Sequence, residues 1–351
     1  MENAEVVKKI RNSSIEILKI IGMILIIFSH TFTAAHPFLS EASFAEQFIS
    51  GMLHCLGHIG NLMFFIPTCW FLIDKEEMKG VKVINLLLDL FVIASMVSPL
   101  TLLLKGEYLP FDIGLILSSN WYVIAYIAVY LLHPILNKGL ANISEEVEEK
   151  IIFAVFLLNF VFTFLTGVSL AVHGFSLVLI YLMIHFLKVR RMKWLDSKKF
   201  NLILFGIGVI GYVITVLLVL NGENYFYTLN NPFYLFIALP VFNFVRKREF
   251  YSKTINWISS LSLFVYIFGE NQFWIVYGRK HIFEQMIGFG MSNIILDGLI
   301  IACGSIVLYF SLAALYKISI SKVTKIVSCV IAKQGEKIRK RIFKSDEKDV
   351  K

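Results

Sequence analysis

The sequence predicts an all-α membrane protein, a polytopic bundle of about ten transmembrane helices with both termini in the cytoplasm. Three observations predict it. Of the 351 residues, 57% are hydrophobic and 17% are charged, whereas a soluble domain usually carries about 25% charged residues. The mean hydropathy is +0.73. This topology also places 29 of the 33 Lys and Arg residues inside and three outside, as the positive-inside rule requires.

Ten apolar runs are long enough for helices that cross a bilayer, which takes about 20 residues each. The first run contains Glu16 and Lys19 and lacks a small-residue cleavage site, so we interpret it as a retained span and not a signal peptide. Short loops separate the runs. In chain order they cover 14–35, 54–73, 83–104, 117–136, 151–168, 173–188, 200–219, 232–246, 257–277 and 293–315.

Charge and cysteine usage exclude several other classes of protein. The net charge is +8, but the basic residues lie in short blocks between apolar runs, which indicates topology and not nucleic-acid binding. The four cysteines have no metal or redox spacing. His54 and His58 have a spacing that suits a metal, yet no third ligand is evident, so no metal and no tightly bound cofactor is expected.

We divide the chain into a membrane domain, residues 1–320, and a basic cytoplasmic tail, residues 321–351. Such a tail is usually solvated or lies against anionic lipid. Since the sequence offers no soluble catalytic domain, we expect any chemistry to take place within the helix bundle.

The first span carries three groups that a bilayer disfavours. Fourteen residues of α-helix advance almost four full turns, so Glu16, Lys19 and His30 share roughly one face, and the rise from Glu16 to His30 is about 21 Å. Glu16 and Lys19 could be a simple interfacial pair, and His30 a packed, hydrogen-bonded residue. However, an ionisable residue at membrane depth usually marks a functional site, and a neutral imidazole can accept a proton from a hydroxyl. A direct Glu16–His30 dyad is too long unless another helix folds in.

The stretch "RNSSIEILKIIGMILIIFSH" resembles the opening of the acyltransferase-3 family of membrane acyltransferases, in particular the Gram-positive branch that O-acetylates capsular and other cell-surface polysaccharides. Lys19 stands where that branch usually has Arg, and Ser29 replaces the first residue of a His pair. The matching residues are Arg11, Asn12, Glu16 and His30.

The resemblance continues in order along most of the chain. Two departures stand out: Gly269 replaces an expected His, and Lys79 with Lys82 replaces an Arg-x-x-Arg element. Lysine keeps the charge but loses the planar, bidentate guanidinium. Further matches are Asn61, Phe64, Phe71 and Leu72 in the second span, Trp121, Tyr122, Tyr126, Tyr130, Pro134 and Asn137 in the fourth, Asn230, Asn231 and Pro232 before the eighth, and Ser259, Tyr266, Glu270 and Asn271 in the ninth.

The resemblance implies a multi-pass plasma-membrane enzyme that transfers acetyl from cytoplasmic acetyl-CoA to a hydroxyl of a polysaccharide or lipid-linked sugar. It implies His30 as the general base, with Glu16 as the second catalytic candidate. The implied donor-binding residues are Arg11, Lys19, Lys79 and Lys82, and the implied acceptor-binding residues are Asn61, Trp121, Tyr122, Glu270 and Asn271.

Other interpretations stay open on the sequence alone. Trp121 and Tyr122 are also typical of an aromatic belt at the membrane interface. A polysaccharide or lipid-linked sugar transporter would use polar residues inside ten helices equally well. A non-catalytic partner in envelope glycan synthesis is a further alternative, because such a protein would not need the His that Gly269 replaces. Besides acetyl-CoA and the acceptor, the expected partners are membrane lipid and either a homo-oligomer or an envelope-synthesis complex.

Overall fold

The computed structural model is all-helical, and the part of the chain that it describes contains no strand. A 3-10 turn, His36–Phe38, extends α1, and a π-helical segment, Phe156–Val161, joins α6 to α7. The described residues are 11–40, 42–105, 113–166, 173–222, 227–271, 278–288 and 293–349. The helices are α1 (Ser13–Ala35), α2 (Phe44–Leu72), α3 (Gly80–Lys105), α4 (Ile113–Ser119), α5 (Trp121–Ala141), α6 (Glu145–Val155), α7 (Phe162–Thr166), α8 (His173–Val189), α9 (Met192–Asp196), α10 (Lys198–Leu220), α11 (Pro232–Arg246), α12 (Lys253–Ser259), α13 (Ser262–Gly269), α14 (Arg279–Gly288), α15 (Ile294–Ser319) and α16 (Ser321–Asp349).

Seven helical stretches among these residues are long and apolar enough to cross a membrane. Phe175–Val189 and Pro232–Arg246 are shorter apolar helices. The expected membrane-spanning, all-α class is therefore confirmed, whereas the count of ten spans and the side of the termini stay predictions. The seven stretches are Ser13–Phe38, Phe44–Leu72, Gly80–Val97, Trp121–Ala141, Glu145–Thr166, Lys198–Leu220 and Ile294–Ser319.

The predicted ninth span, residues 257–277, is not one continuous helix. The chain turns at Ser260 and Leu261, between α12 and α13, and leaves the helix again at Glu270. With eight residues, α13 rises about 12 Å, which is less than half of a bilayer core. Non-helical backbone at membrane depth is tolerated where protein covers it, and most of α13 is buried. Residues 272–277 lie outside the described part.

α1 and α2 pack closely because small residues face each other where they cross. A Cβ atom built on Gly22 would lie 2.8 Å from the carbonyl oxygen of Gly60, and one built on Gly60 would meet the oxygen of Gly22. This backbone-to-backbone approach is typical of small-residue interfaces in membranes. It fixes the position of α1, which carries His30, against the centre of the bundle.

The segment expected to be a tail, solvated or lying against anionic lipid, begins with turns that pack against α3. Thr324 donates to Asp89 over 2.7 Å, and Ser328 donates to Asn85 over 3.3 Å. The Tyr316 hydroxyl at the end of α15 donates to the same Asp89 carboxylate over 2.7 Å. The helix bundle therefore extends beyond residue 320, into the first turns of α16.

Candidate active site

His30 of α1 is paired with Glu270, the residue that directly follows α13. The imidazole Nδ1 contacts Oε1 of the carboxylate. The exposed fraction is 24% for the His30 side chain and 7% for that of Glu270. A segment 240 residues further along the chain thus supplies the carboxylate that Glu16 is too far away to supply. The resemblance implies an acceptor-binding role for Glu270, and in the structure its carboxylate contacts the predicted base.

Arg279, the first residue of α14, completes this site from the other side. Its Nη2 lies 3.5 Å from Oε1 of Glu270 and donates a 2.7 Å hydrogen bond to the backbone oxygen of Gly269. The arginine is almost fully buried. Sequence reasoning counted Arg279 only as an outside charge. Arg279 is one of three basic residues that the predicted topology places outside, against 29 inside. A basic residue on the outer side is therefore unusual, and this could have identified Arg279 from the sequence.

The arrangement determines which nitrogen of His30 is left for chemistry. A carboxylate accepts hydrogen bonds and does not donate them, so Nδ1 of His30 is the donor to Glu270. In the neutral imidazole, Nε2 then carries the lone pair. An imidazole held in one tautomer by a buried carboxylate can take a proton from a hydroxyl placed next to Nε2.

Gly269 occupies the position where the resemblance leads one to expect a His. A Cβ atom at this position would lie 3.1 Å from the ring of Tyr309. A larger side chain would therefore crowd Tyr309, and the Gly269 backbone oxygen instead holds Arg279. At this position the chain thus contributes a backbone oxygen that holds Arg279, and Arg279 reaches His30 through Glu270.

A second group of polar residues lines the same end of α1. Ser29 donates to the backbone oxygen of His54 over 2.5 Å and lies 3.1 Å from the Tyr227 hydroxyl. Thr33 and His54 Nδ1 are 2.9 Å apart, and the rings of His54 and Tyr227 stack with centroids 4.0 Å apart. His54 is therefore a neighbour of the His30 region. In the described residues, no group of three or more His, Cys, Asp or Glu side chains could hold a metal ion.

Glu16 lies in a separate cluster near the start of α1. It accepts from Lys19 over 2.7 Å, the (i, i+3) pair that the spacing indicates, and lies 3.4 Å from Arg11. Ser259 of α12 donates to the same carboxylate over 2.5 Å. Because Ser13 also bonds to Asn256 over 3.0 Å, the beginning of α1 is fastened to α12. Glu16 thus organises this end of the helix and does not reach His30.

In the described part of the chain, no hydrogen bond or ion pair joins Lys79 or Lys82 to Arg11 or Lys19. Lys82 donates to the Tyr126 hydroxyl over 2.6 Å, and its ammonium lies 4.4 Å from the centre of the Tyr130 ring.

Three lysines, Lys75, Lys79 and Lys82, lie in the loop that precedes α3 and in its first turn, together with Asp74, Glu76 and Glu77. Partial burial and the charges of Lys82 and Lys79 lower the pKa of Lys75. Lys75 therefore lies close enough to Lys79 and Lys82 to be repelled by them, and an anion placed among the three amines would relieve that repulsion.

Aromatic residues connect Lys82 with the His30–Glu270 pair. On α5, Tyr122 and Tyr126 follow an (i, i+4) spacing and lie on one helix face. The Tyr122 ring lies 5.6 Å from that of Tyr266 on α13, one turn before Glu270. This row of aromatic rings therefore runs from Lys82, along α5 and α13, to the His30–Glu270 pair.

Two predicted acceptor residues are buried along this row of rings with unused hydrogen-bonding atoms. Oδ1 of Asn61 and the Tyr122 hydroxyl have no partner among the described residues. The Phe64 ring, one turn along from Asn61, lies 6.0 Å from the Tyr122 ring, so the two residues belong to facing surfaces of α2 and α5. A buried polar atom without a partner calls for water or a ligand.

Trp121 contacts Tyr122 edge-on, and Asn271 is buried beside Glu270.

The structure therefore brings the candidate residues together in three places. Glu16, Lys19 and Arg11 meet at the start of α1, and Lys82 meets Tyr126 at the start of α3. His30 meets Glu270, with Arg279 behind it. No family model matches this chain, and neither a curated protein nor a solved structure matches it significantly.

Proposed function

We propose that the protein is a membrane O-acyltransferase that transfers acetyl from cytoplasmic acetyl-CoA to a hydroxyl of a cell-surface or lipid-linked polysaccharide. The proposal puts the chain in the acyltransferase-3 family that its sequence resembles. The observation that carries it is the pairing of His30 with the buried carboxylate of Glu270, which Arg279 also contacts. A base with a fixed tautomer is what a hydroxyl acceptor requires, because an alcohol is a weak nucleophile until its proton is removed.

In this proposal, Nε2 of His30 takes the proton from the acceptor hydroxyl. The hydroxyl oxygen forms a bond to the carbonyl carbon of the acetyl thioester, the carbon–sulfur bond breaks, and CoA leaves as a thiolate that receives the proton from His30. Glu270 holds the imidazole in the correct tautomer and stabilises its positive charge while it carries the proton. Arg279 places a positive charge 3.5 Å from the Glu270 carboxylate, which favours its ionised form.

The donor would enter from the side of Lys75, Lys79 and Lys82. The CoA phosphates need positive charge, which the amines of Lys75, Lys79 and Lys82 supply. The pantetheine arm is long and weakly polar, and the aromatic side chains on α5 and α13 offer it a surface that leads toward His30. The unused atoms of Asn61 and Tyr122 on this surface are suited to bind polar groups of the substrates.

The first test compares O-acetylation of surface glycan in a deletion strain complemented with wild type, His30→Ala or Glu270→Gln. We expect His30→Ala to lower the acetyl content at least about 100-fold, the usual contribution of a general base. Glu270→Gln should lower it at least about tenfold, because the amide can present the wrong hydrogen-bonding group to Nδ1. Acetyl content is read by proton NMR of the purified glycan.

The chain offers a matched control on α14. His281 and Glu284 form an exposed pair, 3.7 Å apart, so His281→Ala and Glu284→Gln make the same chemical changes outside the site and should leave acetylation unchanged. Immunoblots of membranes check that all variants accumulate equally. Unchanged acetylation in the deletion strain would contradict the enzyme for that glycan, and full rescue by His30→Ala would contradict the role of His30.

A transporter of a polysaccharide or lipid-linked sugar is the second candidate, because buried ionisable residues inside a membrane bundle also mark transport pathways. The purified protein in proteoliposomes separates the two functions. With acetyl-CoA inside and acceptor glycan outside, the enzyme releases free CoA thiol in proportion to acetylated glycan, and His30→Ala stops both. A transporter moves the sugar and releases no thiol.

A further inference from the structure

An apolar groove of about 500 Å3 opens on the outer surface of the bundle between α1 and α15. Ile20 and Ile24 form one wall, and Ile306 and Phe310 form the other. The groove follows about 12 Å of α15, from Ile306 to Ala314. Its lining is almost entirely apolar, so inside a membrane it would be filled by hydrocarbon.

One end of the groove is polar and positively charged. Trp257 of α12 lies at this end, 43% exposed. The Lys317 ammonium lies 5.9 Å from the centre of the Trp257 ring, and it donates to the Ser260 hydroxyl. Arg11 and Lys325 are near enough to act electrostatically on Lys317. Glu16 lies near Arg11 and is already shared with Lys19, so this end carries a surplus of positive charge.

We propose that this groove binds one anionic glycerophospholipid of the inner leaflet. One acyl chain lies along α15 between Ile24 and Phe310, and the phosphate lies between Lys317 and Arg11. The proposal does not rest on the acyltransferase function, since it depends only on the shape and charge of this surface.

The charge and the position of the aromatic ring select this occupant. A tryptophan with an exposed ring edge favours the depth of the lipid headgroups. Each basic residue near an anionic leaflet contributes a similar, favourable increment to lipid binding, and basic pockets between transmembrane helices bind anionic headgroups. A zwitterionic lipid would fill the same groove with its chain, but it would gain little from Lys317 because its own headgroup carries a compensating positive charge.

The test measures lipid binding to the purified full-length chain in detergent, by native mass spectrometry, with phosphatidylglycerol and phosphatidylcholine of the same chain length. We expect phosphatidylglycerol to bind more tightly, and Lys317→Gln to weaken its binding about five-fold, the effect of one basic residue near the phosphate. The matched control is Lys199→Gln, which removes an exposed charge on α10, away from the groove, and should leave binding unchanged.

A second variant tests the acyl chain separately. Ser311 is exposed and lines the groove, so Ser311→Phe fills it without changing charge and should weaken the binding of both lipids. Equal affinity for the two lipids, or equal effects of Lys317→Gln and Lys199→Gln, would overturn the headgroup site. Unchanged binding in Ser311→Phe, in protein with a wild-type elution volume, would overturn the seated acyl chain.

Discussion

At the scale of single residues, two buried carboxylates hold distant parts of the chain together. Glu270 joins the end of α13 to His30 of α1, and Glu148 joins α6 to α8. Glu148 has no exposed surface, lies 3.0 Å from Nδ1 of His185 and accepts from Nε of Arg190 over 2.8 Å. Removing one member of a buried ion pair leaves the other charge without compensation.

We therefore expect Glu148→Gln to lower the free energy of unfolding by about 3 kcal/mol, because Arg190 would then be held against a neutral amide. The measurement is the thermal unfolding midpoint of the purified protein in detergent. Glu146→Gln on the same helix is the control: Glu146 is 77% exposed and pairs at the surface with Lys150, so its loss should cost less than about 1 kcal/mol. Equal midpoints for the two variants would contradict the role assigned to Glu148.

Sequence reasoning found His30 because a histidine in an apolar span stands out by itself. It could not find the pairing with Glu270, because 240 residues separate the two in the chain and no local pattern reports a contact over that distance. Arg279 was missed for the same reason. Its burial depends on how the segments around α13 and α14 lie against the bundle.

At the scale of helices, the crossing of α1 and α2 depends on the absence of side chains at Gly22 and Gly60. We expect Gly22→Ala to lower the free energy of unfolding by about 1–3 kcal/mol, because the added methyl group would lie 2.8 Å from a backbone oxygen that has little freedom to move. The thermal unfolding midpoint again measures the effect. Since α1 also carries His30, any acyl transfer activity should fall with it.

Gly206→Ala on α10 is the matched control for this substitution. No atom lies within 4 Å of the added Cβ there, and alanine favours a helix more than glycine does, by up to about 1 kcal/mol. Gly206→Ala should therefore leave stability unchanged or raise it. A Gly22→Ala protein as stable as Gly206→Ala would show that the two helices do not need this close approach.

The bounds of the helices followed from the sequence where apolar runs end at polar residues. The first span was expected at 14–35 and is Ser13–Ala35, and the eighth was expected at 232–246 and is Pro232–Arg246. α2 begins ten residues before its expected start, because its first turns are amphipathic; the signal missed was the capping box of Ser43 and Glu46.

At the scale of the whole molecule, the distribution of basic residues predicts the topology, with both ends inside. In a protein with its four cysteines replaced by serine, Glu76→Cys in the loop between α2 and α3 should react with a membrane-impermeant maleimide only after the cells are permeabilised. Glu284→Cys on α14 should react in intact cells. Both positions are exposed in the fold, so access to the reagent decides the result.

Labelling of both cysteines in intact cells, or of neither, would contradict the odd number of crossings, seven, expected between these two positions and the membrane sides assigned to them. Labelling in detergent serves as the control, since both residues should then react equally. The reversed pattern, in which Glu76→Cys reacts in intact cells and Glu284→Cys does not, would show that the predicted orientation is inverted. His30 would then lie in the cytoplasmic half of the membrane.

The sequence by itself determined that the chain is a helical membrane protein and which stretches form most of its helices, because the cost of exposing polar groups to hydrocarbon acts on each segment separately. It also singled out His30. Only the tertiary structure decided which carboxylate meets His30, that the ninth span is broken between α12 and α13, and that α16 begins inside the bundle. These three features depend on contacts between segments that are far apart in the chain. The free energy of such contacts comes from packing and from paired buried charges, and the composition of either segment alone does not determine it.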